Sequence, residues 1–386
     1  MPDRPLLVIQ HAFADLPDPR VERTKRHQLL DIITIAVCAV ISGADSWIDV
    51  EQYGLARQDW LASFLDLPNG IPSHDTFGRV FARIDPLAFE ACFLGWVQGL
   101  IPELVGQTVA IDGKVARRSH DRAAGRPPID LVSAWAADQH LVLGQLAVAP
   151  DSNEIPAVPA LLALLDVGGA VVTLDALHCQ TGTASAIRAA NADYVLALKG
   201  NQPATHAVVE TFFNEAVREE WRGIAHEHRT TEDAGHGRLE TRGYWTTRDP
   251  ELLAYLNPGG RLWPDLGCVG MVQRTRTTAL GTSQETSYYL SSLTGEIEGF
   301  ARAVREHWGI ENRQHWVLDV AFREDESRVR AGHGAENLAV IRRIALNLIR
   351  QDTGTKGSVH TKRLKAAWDH AYLLHLLSLD AANLDA

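Results

Sequence analysis

The sequence predicts an α/β protein: a mixed sheet flanked by helices, preceded by a helical N-terminal domain and interrupted by a β-rich insertion. Three observations carry that expectation. Apolar residues recur at helical spacing up to residue 100, short apolar runs ending in turns begin near residue 107, and residues 216–290 are rich in Thr, Gly, Arg and Trp.

Residues 1–100 read as a helical domain. The polar stretch after Asp18 carries Arg23, Lys25 and Arg26, and Leu29 to Ile41 follows as a buried helix; thirteen residues are too few to span a bilayer. A capping Ser73 or Asp75 precedes Phe77, Val80, Phe81 and Ile84, and Pro86 breaks the chain before a helix through Phe89, Phe93 and Trp96.

Residues 101–350 read as the main domain. Strands are expected over 108–113, 131–136, 141–148, 170–175 and 194–198, with helices over 156–165 and 181–190 and another starting at Pro203. Hairpins that pass into alternating strands and helices give a mixed sheet with helices on its faces. Within 216–290, strands are expected at 240–245, 268–273 and 286–290, and helices return from Gly299. Residues 351–386 read as a basic connector (Lys356, Lys362, Arg363, Lys365) and a last helix over about 364–377.

Composition narrows the function. There are 37 Lys plus Arg against 48 Asp plus Glu, a net charge of -11, so any polyanion must be held by a local basic patch. Cys38, Cys92, Cys179 and Cys268 form no CxxC pair, which argues against a disulfide scaffold or a cysteine zinc site and fits a reducing cytoplasm. Met1 to Gln10 carries Asp3, Arg4 and two prolines, unlike a secretory leader. The expected location is cytoplasmic, with no membrane partner.

Two expected strands end in an acid, Asp112 in AIDG and Asp175 in TLDA. A sheet fixes the spacing of such carboxylates, which suits Mg²⁺, an ion that prefers oxygen ligands and keeps several waters. An Asp at a strand end is more often a turn residue or a cap. In residues 300–316, Phe300, Val304, Trp308, Glu311 and His315 recur every three or four residues, placing Glu311 on or beside a buried helix face with His307 one turn away. The ordinary alternative is a Glu paired with Arg302, Arg305 or Arg313. Glu154, Asp319, Glu324 and Asp325 are rival acids; Asp319 replaces Glu311 if the helix phase differs.

Basic candidates for holding a polyanion are Lys114, Arg117, Arg118, Arg122 and Arg126 after the first acid, Lys199 after a strand, and Arg328, Arg330, Arg342 and Arg343. The amides of Asn201 and Gln202 suit phosphate contacts. Trp308 and Trp316 are expected as core aromatics, with stacking on an unpaired base as the alternative. His226, His228 and His236 lack a nearby cysteine and are not read as a zinc site.

In order along the chain stand PSHDTFGRVF (72–81), AIDGK (110–114), SNEIPAVPALL (152–162), TLDALHCQ (173–180), DYVLALKGNQ (193–202), HGRLETR (236–242), YYLSSL (288–293) and REHWGIENRQHWVLDVAFREDESRVR (305–330). Together they resemble the insertion-sequence transposases of the ISAs type, which include the H-repeat-associated proteins and belong with the DDE transposases. The resemblance implies a ribonuclease-H-like core. It implies a catalytic and metal-binding triad of Asp112, Asp175 and Glu311 using Mg²⁺ or Mn²⁺, with His307 among the groups facing DNA. The implied partners are the element's terminal inverted repeats and target DNA, held by a homodimer on paired ends, with the N-terminal helices aiding end recognition. Pro150-Asp151 stands where the family often has a lysine. A stand-alone nuclease with the same triad and a silent DNA-binding derivative are the competing readings.

Overall fold

Six helices open the chain: Val8–Ala12 (α1), Leu29–Ile41 (α2), Trp47–Ala56 (α3), Gln58–Leu61 (α4), His74–Phe81 (α5) and Pro86–Leu100 (α6). The computed structural model describes residues 8–101, 103–121, 125–149, 151–235 and 237–378. Arg122, His236 and Pro150 lie outside the described residues, as does the chain beyond Ser378. Two of these helix starts are capped by side chains. Ser46 and Asp49 form a reciprocal capping box at α3, and Asp85 accepts from Leu87 N with Pro86 in the first turn of α6. Ser73 holds the cap position of α5, but its hydroxyl faces Thr76 Oγ1 at 3.2 Å and bonds no backbone amide.

Among the described residues nine strands form one sheet: Thr108–Val115 (β1), Asp130–Ala136 (β2), Leu141–Ala147 (β3), Val171–Leu174 (β4), Asp193–Leu198 (β5), His226–Gly235 (β6), Arg238–Thr247 (β7), Cys268–Thr278 (β8) and Gly281–Ser291 (β9). Their order is β3-β2-β1-β4-β5-β9-β8-β7-β6. β1 pairs parallel to β4 and β4 parallel to β5, while every other pairing is antiparallel. The β-rich insertion is therefore no separate body: β9 bonds to β5 and continues the main sheet. Helices Glu154–Leu162 (α7), Thr181–Ala189 (α8), Pro203–Arg218 (α9) and Pro250–Leu256 (α10) fill the connections.

After the sheet come Ile297–Gly309 (α11), a π-helical stretch Ile310–His315, Trp316–Val320 (α12), Gly334–Gln351 (α13), Val359–Trp368 (α14) and His370–Ser378 (α15). The single C-terminal helix expected from sequence is two, because Asp369 turns the chain and accepts from Ala371 N and Tyr372 N to cap α15. The basic connector is also not a cationic surface. Lys362 donates to Ile349 O and Asp352 O, and Arg363 donates to Val40 O at 2.7 Å, both buried.

One hydrophobic core runs from Ile9 through the sheet to Leu377. Buried Asn337 on α13 donates to Phe81 O and Ile84 O, and Asn347 bonds Val142 N and O on β3. The N-terminal helices thus share their core with α13 and do not stand apart from the sheet.

Glu90 on α6 is buried against β3 and accepts from Gln145 N at 2.7 Å. Burial pushes its carboxyl up to about 8. A raised carboxyl pKa contributes stability that is complete below the usual carboxylate range and lost as pH rises through about 8. Replacing Glu90 by Gln keeps the acceptor and removes the titration. Between pH 5 and pH 9 the wild type should therefore lose more unfolding free energy than E90Q, by on the order of a few kcal/mol. Urea midpoints at both pH values check this; equal losses would show that Glu90 does not titrate in the core.

Candidate active site

The first two acids are set side by side by strand register. Val109 pairs with Val172 and Ala110 with Thr173 in the parallel β1–β4 ladder. The same register carried two residues on brings Asp112 level with Asp175. Side chains alternate along a strand, so Ala110 and Asp112 share a face, and Thr173 and Asp175 share the same one. β4 ends at Leu174 while β1 runs on to Val115, so Asp175 sits in the turn just past its strand.

Helix α11 supplies the third acid. It lies across β1 and β4, and His307 Nδ1 bonds Thr173 Oγ1 at 3.0 Å. One turn on, the helix widens into the π stretch that carries Glu311. Extra residues per turn shift the phase, so three-and-four spacing fails there. The sequence places Glu311 on or beside the buried helix face; its side chain is exposed and turned to the cavity, whereas Gln314 and His315 turn inward. The two tryptophans are corrected as well. Trp308 and Trp316 are 48% and 61% exposed, not core.

Asp112, Asp175 and Glu311 line one cavity of about 230 Å³ together with Lys199, His307 and Trp308. Burial first, then the charge of Asp175, raises the Asp112 carboxyl to about 7, although Gly113 N donates to it at 2.9 Å. Two carboxylates repelling one another in a half-buried slot are what a cation would relieve. The oxygen-only donor set suits a hard divalent ion that keeps water or substrate oxygens in its shell. Among the described residues no three His, Cys, Asp or Glu side chains are gathered closely enough to hold an ion by themselves.

Two supports flank the acids: the sequence marks Glu154 and His315 only as a rival acid and a helix-face residue, and does not single out Asp130 or His178 at all. Glu154, at the start of α7, accepts from the buried His178 Nε2 at 3.2 Å and carries its charge close to Asp130. The His178 bond holds the Glu154 carboxyl low, while burial and then Glu154 push Asp130 up to about 6. His178 N reaches back to Asp175 Oδ1 at 3.4 Å, which ties this group to the second acid. The Glu154 carboxylate also covers Gly113, leaving no room for a Cβ there. On the other side, His315 Nδ1 lies 3.5 Å from Asp112 Oδ2. Burial, then Arg343 and Lys114, lower the His315 pKa to about 4, so the ring is neutral at pH 7. Burial likewise lowers His307 to about 4, so it faces the cavity as a neutral imidazole.

The basic candidates divide. Lys114 is not a free phosphate contact: its ammonium lies 2.7 Å from Asp319, 3.1 Å from Asp325 and 3.5 Å from Glu324, with the side chain 8% exposed. Arg342 and Arg343 are buried, and Arg343 pairs with Glu324 at 2.6 Å. Burial alone would raise Glu324, but Arg343, Lys114 and Arg342 outweigh it and hold the carboxyl at about 2. Asp319, Glu324 and Asp325 thus serve this network behind the cavity. Arg117 touches Asp325 at 3.2 Å but is 81% exposed, and Arg118 and Arg328 are exposed. Lys199 is exposed at the cavity edge. Asn201 donates to Ala176 O and Gln202 to Cys179 O at 3.0 Å, so both amides brace the loop after Asp175.

Sequence comparison gives this geometry its setting. Residues 104–348 match the family described as transposase DDE domain, and residues 10–97 match the DDE_Tnp_1-associated family that accompanies it. The chain belongs to the DDE transposase family. The protein named "Putative transposase YncI" of Escherichia coli O157:H7 is 40% identical to this DDE-family chain, covering 94% of it and 92% of the relative. The "H repeat-associated putative transposase YhhI" of Escherichia coli K12 is 36% identical over 94% of the chain and 96% of its own length. Among the described residues no helix is long and apolar enough to cross a membrane.

Proposed function

We propose that this chain is the transposase of an insertion sequence, cutting DNA at the element's ends and joining the freed ends to target DNA. The observation that carries the reading is the convergence of Asp112, Asp175 and Glu311, from three separate elements, on one cavity. A ribonuclease-H-like core is supported by the order β3-β2-β1-β4-β5, with β1, β4 and β5 parallel and the acids at its open end.

Mg²⁺ or Mn²⁺ bound between the acids would supply Lewis-acid stabilisation of the phosphoryl oxygens and an activated water. The chain's own groups do the rest. Asp112 and Asp175 are fixed at one level by strand register, and Glu311 closes the third side from the widened helical turn. His307 is held by Thr173 and stays neutral, adding no charge near the acids. Lys199 offers a cation to the phosphate backbone, joined by the exposed Arg117, Arg118 and Arg328. Water attacks the scissile phosphorus, and the P–O bond to the 3′ oxygen breaks to leave a 3′ hydroxyl and a 5′ phosphate. That 3′ hydroxyl then attacks a target phosphodiester, forming the new bond and releasing a target 3′ hydroxyl. End recognition falls to the N-terminal helices, and pairing of two ends to a homodimer.

The test is incubation of the purified protein with linear DNA carrying the repeats that flank its gene, with Mg²⁺ or with EDTA, mapping products at single-nucleotide resolution. Mg²⁺-dependent breaks at the repeat boundary are expected. Breaks spread without regard to the boundary would favour a plain nuclease.

A further inference from the structure

The distal halves of the two insertion hairpins carry arginines on one face. Register places Arg238, Glu240, Arg242 and Tyr244 of β7 on that face, opposite Thr278, Arg276, Arg274 and Val272 of β8. Near the core the face packs on α11, where Tyr244 and Val272 meet Phe300 and Val304. Beyond the reach of that packing it becomes the wall of an open groove of about 360 Å³, closed on the other side by Arg305, Trp308 and Asn312.

The charge of this groove is unlike that of the whole chain. Five arginines (238, 242, 274, 276 and 305) line it against Glu240 and Glu285, on a protein of net charge -11. Arg242 and Arg274 stand directly opposite each other, a like-charge pairing that costs stability unless acids answer it. Asp233 and Glu240 answer Arg242, and Glu285 answers Arg274 at 2.6 Å. Asp233 also lies 3.6 Å from Arg305. Glu240 is thereby drawn away from its register partner Arg276. Among the described residues neither Arg276 nor Arg238 has an ion pair, and both are exposed.

The groove is continuous with the acid cavity. Glu285, Ser287, Tyr289, Val304 and Trp308 line both. We infer that the arginine-lined face of the insertion hairpins is a phosphate-binding groove, which seats duplex DNA running up to the scissile phosphate. This rests on the transposase reading and adds to it a second, distal contact. Arg238 and Arg276 hold backbone phosphates by counterion release, and half-exposed Trp308 stands where duplex passes into the cutting site. The site so extended helps explain how an acidic protein holds a polyanion once Lys114 and Arg343 are committed to internal pairs and Arg342 is buried.

The test is duplex binding by fluorescence anisotropy at several salt concentrations, using the full chain and element-end DNA. The R238Q/R276Q variant should bind more weakly and flatten the slope of log affinity against log salt by roughly two units. A control, R218Q/R222Q at the exposed end of α9 and in the turn beyond it, should leave the slope unchanged. Ser283 lies opposite Arg276, so S283E should reproduce part of the loss by pairing that arginine without removing it. Binding by wild type with an unchanged slope in R238Q/R276Q would overturn the groove and leave the transposase reading standing. An equal loss in the α9 control would also overturn it. Failure of the wild type to bind duplex DNA would instead overturn the transposase reading itself.

Discussion

Alanine at Asp112, Asp175 or Glu311 should each lower end cleavage by roughly a thousandfold or more while leaving the fold intact. The size follows from the chemistry: losing one ion-holding carboxylate forfeits several kcal/mol of transition-state stabilisation, and about 1.4 kcal/mol is a factor of ten in rate. Retention of the fold follows from the charge distribution. Asp112 is pushed up to about 7 by burial and then by Asp175, so the charge of Asp175 beside buried Asp112 is an electrostatic cost to the metal-free protein. D175A should therefore unfold at equal or higher denaturant than the wild type while losing activity. Exposed Glu311 should be close to neutral for stability. The check is a cleavage time course beside a urea titration for each variant. A variant that cuts at near wild-type rate would remove its residue from the site.

Replacing Glu324 by Gln should have the opposite signature: a large loss of stability that carries activity down with it. Glu324 is buried between Arg343 at 2.6 Å and Lys114 at 3.5 Å, with Arg342 also buried nearby. Removing its charge leaves buried cations without their shared anion, a change that costs about 3–5 kcal/mol. Lys114 is two residues beyond Asp112 on β1, so the loss reaches the first acid's strand. The pH dependence has a definite sign. Glu324 is held at about 2, so its stabilisation is present above the usual carboxylate pKa and is lost as pH falls through about 2. The gap between wild type and E324Q should be full at pH 7 and shrink in acid. Urea midpoints measure it; a gap below about 1 kcal/mol at pH 7 would mean the network carries little.

Much of this arrangement was legible in the sequence. Strands β1 to β5 announce themselves as short apolar runs bounded by turns; Asp175 stands just past the end of β4 as expected, whereas β1 runs three residues beyond Asp112. β6 does not announce itself, because HEHRTTEDAG has almost no apolar residue; it becomes a strand by pairing with β7 at the sheet edge, where charge is an asset. The joining of β9 to β5 depends on a long-range pairing that no local pattern records. Lys114, Arg343, Lys362 and Arg363 read as surface cations, since each is paired or hydrogen-bonded by groups the local pattern does not show, and Arg342 is simply buried. Periodicity could not fix the facing of Glu311 because a π turn lets the helix slip out of phase, and residue type alone misplaced the two tryptophans as core. The motif order nonetheless pointed to Glu311 over Asp319, and the structure puts Glu311 at the cavity and Asp319 on Lys114.

In the proposed function, three acids from distant parts of the chain hold a single ion at the scissile phosphate. Mn²⁺ titration of the protein–DNA complex, followed by electron paramagnetic resonance, addresses it directly. The wild-type complex should take up tightly bound Mn²⁺, and D112A, D175A and E311A should each lose part or all of that uptake, whereas R218Q/R222Q should not. Undiminished Mn²⁺ uptake in all three acid variants would contradict the account.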